Sequence, residues 1–193
     1  ERIRDIRSSE KIFYAKIKDI YTTSIDYDTQ SEQAQRFFAA VQNKMHWAIH
    51  GHTAAEIIYK RANAKKPGMG LTSWKNSPEG KIRKTDVIVA KNYLSQDELT
   101  ELNLIVEQYL AFAELQARNR KSMYMNDWEK KLNAFLTLNE REILLDAGRI
   151  SQKMAKELAE NEYKTFRKQQ IEALDAEEMK QLEQEVKKLK GKK

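Results

Sequence analysis

All three histidines of this 193-residue chain fall within seven positions of one stretch, HWAIHGHTAAE, from His46 to Glu56. Imidazole is the side chain that titrates nearest neutral pH and a common metal ligand, so the cluster raises acid–base and metal chemistry first. His46 and His50 stand at i and i+4, where two rings on one helix can reach one ion. Zinc asks for a third protein ligand, and the glutamate of HExxH is missing, so no metal and no cofactor are expected. On a helical wheel Asn43, His46 and His50 form a row beside Ala39, set apart from an apolar stripe centred on Met45. That row is the candidate catalytic set, with one imidazole as acid or base. An ordinary structural role fits it too: His46 and His50 bond to neighbouring helices while Gly51 and His52 turn the corner. Glu56, the nearest carboxylate, has capping-box spacing from Thr53 and is assigned to that cap.

The second constellation is the stretch KKPGMGLTSWKNSPEGKIRK. From Lys60 to Lys91 nine basic residues face two acidic ones, while the whole chain, with 35 Lys and Arg against 29 Asp and Glu, carries only +6. Glycines, hydroxyls and cations together suit phosphate. The spacing matches neither GxxxxGK[ST] nor GxGxxG, which leaves nucleic acid as the expected partner. Lys75, Lys81, Arg83 and Lys84 would neutralise backbone phosphates, and Trp74 would stack on a base. The alternative is that Trp74 pins the loop to the core and the lysines are solvated surface.

The elements that must position these residues read as helices throughout. Apolar residues recur at three and four, only six glycines and two prolines interrupt the chain, and both prolines lie in the basic loop. A first helix is expected from about Arg2 to Thr22. A second opens at Thr29 with Glu32 and carries Ala34, Phe38, Val41, Met45 and Ile49 to a stop at Gly51. Thr53 with Glu56 starts a third, to about Ala64, and a brief helical or extended piece follows at Asp86 to Asn92. Ser95 with Glu98 caps a helix whose stretch LNLIVEQYLAFAEL is apolar nearly all round, predicting a central, buried element. MNDWEKKLNAFLTL and EREILLDAG complete the body, the latter capped by Asn139 with Glu142 and stopped at Gly148. From Ser151 no breaker occurs to about Leu189. There Met179, Leu182, Val186 and Leu189 keep a heptad spacing suited to a homo-oligomer or a partner helix.

The expectation is an all-α, multi-helix bundle of about seven helices with a long C-terminal helix. Its domains are a helical globular part, 1–150, and a partly exposed helix with a basic tail, 151–193. Without cysteine there is no disulfide, thiolate zinc site, iron–sulfur cluster or cysteine nucleophile. No apolar run approaches the roughly 18–20 residues that span a bilayer, so a membrane partner is not expected and a cytoplasmic location is. The chain begins on Glu1 with helical spacing already established, which reads as the C-terminal region of a longer protein.

The segments SIDYDTQSEQAQRFFAAVQNKMHWAIHGHTAAEIIYKRA, KPGMGLTSWK and RKTDVIVAKNYLSQDELTELN are long, ordered and closely spaced. Together they resemble the RhuM family of bacterial virulence-associated proteins, over Glu1 to about Phe166. The resemblance implies a bacterial protein often encoded in genomic or pathogenicity islands, preceded by a helix-turn-helix-like DNA-binding module. It also implies kinship with proteins associated with Fic domains. The Fic signature itself, His-Pro-Phe followed by Gly-Asn and a basic residue, is absent, and none of His46, His50 and His52 precedes proline. The expected function is therefore a helical module supporting nucleic-acid binding or oligomerisation. The alternative is a toxin-like nucleotidyl or phosphoryl transferase using Asn43, His46 and His50 with the basic loop.

Overall fold

The computed structural model describes residues 32–119 and 122–190 and, ahead of them, Ala15, Lys18, Asp19, Tyr21, Thr22 and residues 24–28. The side chains of Gln33 and of residues 185–190 fall outside this description. Five α-helices are present among the described residues: α1 (Glu32–His50), α2 (Ala54–Arg61), α3 (Gln96–Arg118), α4 (Met125–Leu138) and α5 (Gln152–Lys190). A tight turn with Gly68 and Met69 in the left-handed region occupies Pro67–Gly70, a single 3-10 turn occupies Ala90–Tyr93, and no described residue is in a strand. The described residues are all-α, with five helices among them where about seven were expected for the whole chain. Most of the expected first helix, and the cap at Thr29, lie outside the described residues.

The chain divides into two compact units. Unit 1 comprises Glu1–Ile57 and Leu94–Gln152, and unit 2 comprises Ile58–Tyr93 and Lys153–Lys193.

In unit 1, α1 packs on both α3 and α4. It has no glycine or proline, and it buries Ala34, Phe37, Val41, Met45 and Ala48 at helical spacing. The stripe is thus turned slightly from the expected one, with Phe37 and Ala48 inward in place of Phe38 and Ile49. Beneath it Tyr21, Tyr109 and Trp128 are fully buried, Tyr21 edge-on to Phe37 with ring centroids 4.6 Å apart. The phenol oxygens of Tyr21 and Tyr109 are 2.9 Å apart, and burial pushes both groups well above the usual tyrosine range, so the pair stays neutral.

Two expectations for unit 1 need correction. α3 is not surrounded by core. It buries Leu102, Ile105, Val106, Tyr109 and Ala113 on one face, while Leu104 and Leu115 are more than half exposed. The stretch EREILLDAG is not a helix, and Asn139 caps the end of α4 rather than the start of a new element. Glu140 adopts a left-handed φ of 56°, its N–H reaching Thr137 O and that of Arg141 reaching Leu136 O. These two bonds close the last turn of α4 and send the chain away from the helix axis. Residues 141–149 are then held from a distance: Lys44 Nζ donates to Leu144 O at 3.0 Å, and Arg149 N–H donates to Glu56 Oε1 at 2.7 Å. A nine-residue helix is marginal alone, so such tertiary bonds outweigh its local propensity.

In unit 2 the small residues Ala155 and Ala159 of α5 are fully buried, and Met69, Val87 and Tyr93 are core. Gly70 has φ 81°, and a Cβ there would collide with the carbonyl oxygen of Arg61. Every described side chain of α5 from 168 to 184 is exposed.

Candidate functional site

The histidine corner belongs to unit 1. Gly51, at φ 66°, ends α1, its N–H bonding to Trp47 O. Thr53 and Glu56 then form the reciprocal box that starts α2: Thr53 N–H to Glu56 Oε2 at 2.8 Å, and Glu56 N–H to Thr53 Oγ1 at 3.3 Å. Burial alone would push the Glu56 carboxyl up. The N–H groups of Arg149 and Thr53, the Thr53 hydroxyl and nearby His52 outweigh it and hold the group below its ordinary value. The carboxylate that sequence reasoning assigned to a cap is therefore a cap, and a tether for residues 148–149 as well.

His46 is buried, and its Nδ1 lies 3.2 Å from His50 Nε2, close enough for the two rings to share one hydrogen. His52 Nδ1 lies 2.6 Å from the carbonyl oxygen of His50; a carbonyl only accepts, so this nitrogen carries the proton. Among the described residues no three His, Asp or Glu side chains converge as metal ligands.

The expected row of Asn43, His46 and His50 is divided. Asn43 lines a cavity of about 530 Å³ with Ala39, Ala40, Lys44, Leu144 and Asp146, among others, and neither His46 nor His50 is in its wall. Asn43 Oδ1 accepts from Ala54 N–H at 3.4 Å. A second hollow of about 700 Å³ shares Arg36, Ala40 and Glu129 with the first, so both lie along the same face of α1. Their cations are already matched: Arg36 pairs with Glu32 at 2.8 Å, and Lys44, itself buried, lies 3.5 Å from Glu129. Sequence reasoning missed Lys44. Its one signal was a lysine placed beside the apolar Met45.

The basic loop belongs to unit 2. Its organiser is Asp86, buried, whose Oδ1 accepts from Lys75 N–H at 3.3 Å and whose Oδ2 accepts from Arg83 N–H at 2.9 Å. Asn92 continues the scaffold. Its Nδ2 donates to Asp86 O at 2.8 Å, and its carbonyl accepts from the N–H groups of Thr72 and Ser73. The long helix closes the base: Glu162 accepts from Ala64 N–H at 2.6 Å, and Tyr163 OH donates to Ile82 O at 3.2 Å. Trp74 is half-buried, with its indole N–H on Gly80 O and its ring, like Ile82, against Gly68. Lys84 pairs with Glu160 at 3.2 Å, whereas Lys75, Lys81 and Arg83 are exposed and make no side-chain ion pair among the described residues. Asp86 was not singled out from sequence, although its spacing of three from Arg83 is that of a side chain capping a turn.

On α5, Met179 and Leu182 are 60% and 57% exposed; Val186 and Leu189, named with them, lie outside the described side chains. Ile171 and Leu174 are exposed on the same helix and were not named. No described helix is long and apolar enough to cross a membrane.

A family model described as virulence protein RhuM family matches residues 1–174. No curated protein and no solved structure matches the chain.

Proposed function

The chain belongs to the RhuM family of virulence proteins, and from that premise we propose that it is a non-enzymatic module that binds the phosphate backbone of nucleic acid through unit 2 and self-associates through α5. One observation carries the nucleic-acid reading: Lys75, Lys81 and Arg83 are exposed, without ion pairs among the described residues, on a loop whose backbone is anchored by Asp86. A fixed loop presents its cations without first being ordered, and a row of cations releases counterions from any nucleic-acid backbone. With its N–H engaged and its ring against Gly68, Trp74 supports the loop rather than a stacked base. Backbone contact without base readout is then the expected mode. With nucleic acid as its partner, the module would act in the cytoplasm.

The transferase reading draws less support. It asks for an imidazole facing an open cleft, and the cavity beside Asn43 contains neither His46 nor His50.

The test is binding of a labelled duplex against salt concentration, for the wild type and for the variant K75A/K81A/R83A. Each lost phosphate contact removes about 0.9 from the slope of log affinity against log salt, so the variant's slope should fall by about 2.7. An unchanged slope would remove this surface from the contact.

A further inference from the structure

We propose that two copies of the chain pair antiparallel along α5, with the dyad between Ile171 and Leu174. This rests on the self-association reading above and adds the orientation and the register. The first observation is an unpartnered stripe: Ile171, Leu174, Met179 and Leu182 are 51%, 65%, 60% and 57% exposed. At about 100° per residue these four fall within an arc of about 140° on one side of the helix.

The second observation is the charge order on that same arc. Upstream of the Ile171 and Leu174 pair stand Lys164, Arg167 and Lys168; downstream stand Asp175 and Glu178. A parallel pair would set cations against cations and carboxylates against carboxylates at equal heights, which is unfavourable across a helix seam. An antiparallel pair centred between Ile171 and Leu174 opposes Ile171 to the partner's Leu174 and Arg167 to the partner's Glu178. It also brings Lys168 near the partner's Asp175. The present contacts of these cations are exposed and exchange at little cost: Arg167 with Gln170 at 3.0 Å, and Lys168 with Glu172 at 3.7 Å. The stripe alone would accept any amphipathic helix. The division of its charges, basic at one end and acidic at the other, is self-complementary in one orientation only.

The chain has no cysteine, so single introduced thiols report orientation without interference. Full-length R167C and E178C are oxidised mildly, each alone and as a mixture, beside sedimentation equilibrium of the wild type. The expected result is a wild-type dimer, a mixed R167C–E178C disulfide as the dominant cross-linked species, and a shift to monomer in I171D/L174D with helix content unchanged. Efficient cross-linking of R167C to itself in a dimeric protein overturns the antiparallel arrangement and leaves self-association standing. A dimer in which none of the three samples cross-links places the interface elsewhere and also overturns the proposal. A wild type that stays monomeric at all concentrations removes both this proposal and the self-association reading on which it rests.

Discussion

Replacing Glu56 by alanine removes a carboxylate that serves two segments of unit 1 at once. Oε2 accepts the N–H of Thr53, a residue only 1% exposed, so that donor is left without a partner and without water. An unsatisfied buried N–H costs about 1–3 kcal/mol. Oε1 accepts the N–H of Arg149, an exposed residue where water substitutes, at a cost of about 0.5–1 kcal/mol. E56A should therefore destabilise unit 1 by about 2–3 kcal/mol, a drop of roughly 5–10 °C in Tm for a chain of this size. E56Q retains one acceptor but turns its NH2 toward the other donor, and should lose about half as much. The assay is urea unfolding followed by tryptophan fluorescence in a W74F background, where the remaining Trp47 and Trp128 both report on unit 1. The folded-state pKa of Glu56 is lowered, so its stabilisation is full above the ordinary carboxyl value of 4.5 and is lost as pH falls through the lower folded value. The gap between wild type and E56Q should accordingly be constant at pH values well above 4.5 and narrow as the solution is acidified below it. A gap under about 0.5 kcal/mol at pH 7, or one that does not narrow at all on acidification below pH 4.5, would refute the reasoning.

Gly148 has φ 82°, and a Cβ there would lie 2.6 Å from Thr53 Cγ2, so G148A should cost about 1–3 kcal/mol in the same unfolding assay. Part of that loss should return in G148A/T53S, which lacks the clashing methyl; strict additivity of the two changes would count against the contact. K44M keeps the buried stem but strips Leu144 O of its donor. It should cost about 1–2 kcal/mol and speed hydrogen exchange in residues 141–149 more than in α3. W74F deletes the donor to Gly80 O and should loosen the loop while leaving the salt slope of nucleic-acid binding intact. A lost slope would restore Trp74 as a stacking platform.

What was legible in the sequence was local. The boxes at Thr53 with Glu56 and Ser95 with Glu98 are both formed, and Gly51 stops α1, because each depends on residues three or four apart. The excess of cations between Lys60 and Lys91 was equally readable, since charge needs no fold. The errors fell where distant residues decide. Asn139 with Glu142 has the spacing of a cap, yet the segment is claimed by Lys44 and Glu56, about a hundred positions away. The row of Asn43, His46 and His50 is sound on a wheel. Which of its members meets a cavity, however, depends on residues 144–147 lying across Ala39 and Ala40. For α3, composition suggested apolar contact all round, but its partners cover one face.

The loop of unit 2 sorts its charges by depth. Asp86 lies inside on two backbone N–H groups, Glu162 is taken up by the Ala64 N–H, and Glu160 is bound to Lys84. Two of these carboxylates, Asp86 and Glu162, are thus engaged by backbone N–H groups and the third by a loop lysine, where they weaken an outward positive field least. Glu79 alone among the acidic residues of the 60–91 segment is exposed. Acidic residues here are therefore not interchangeable: neutralising Glu79 alters only the potential seen from solution, whereas neutralising Asp86 alters the form that carries it.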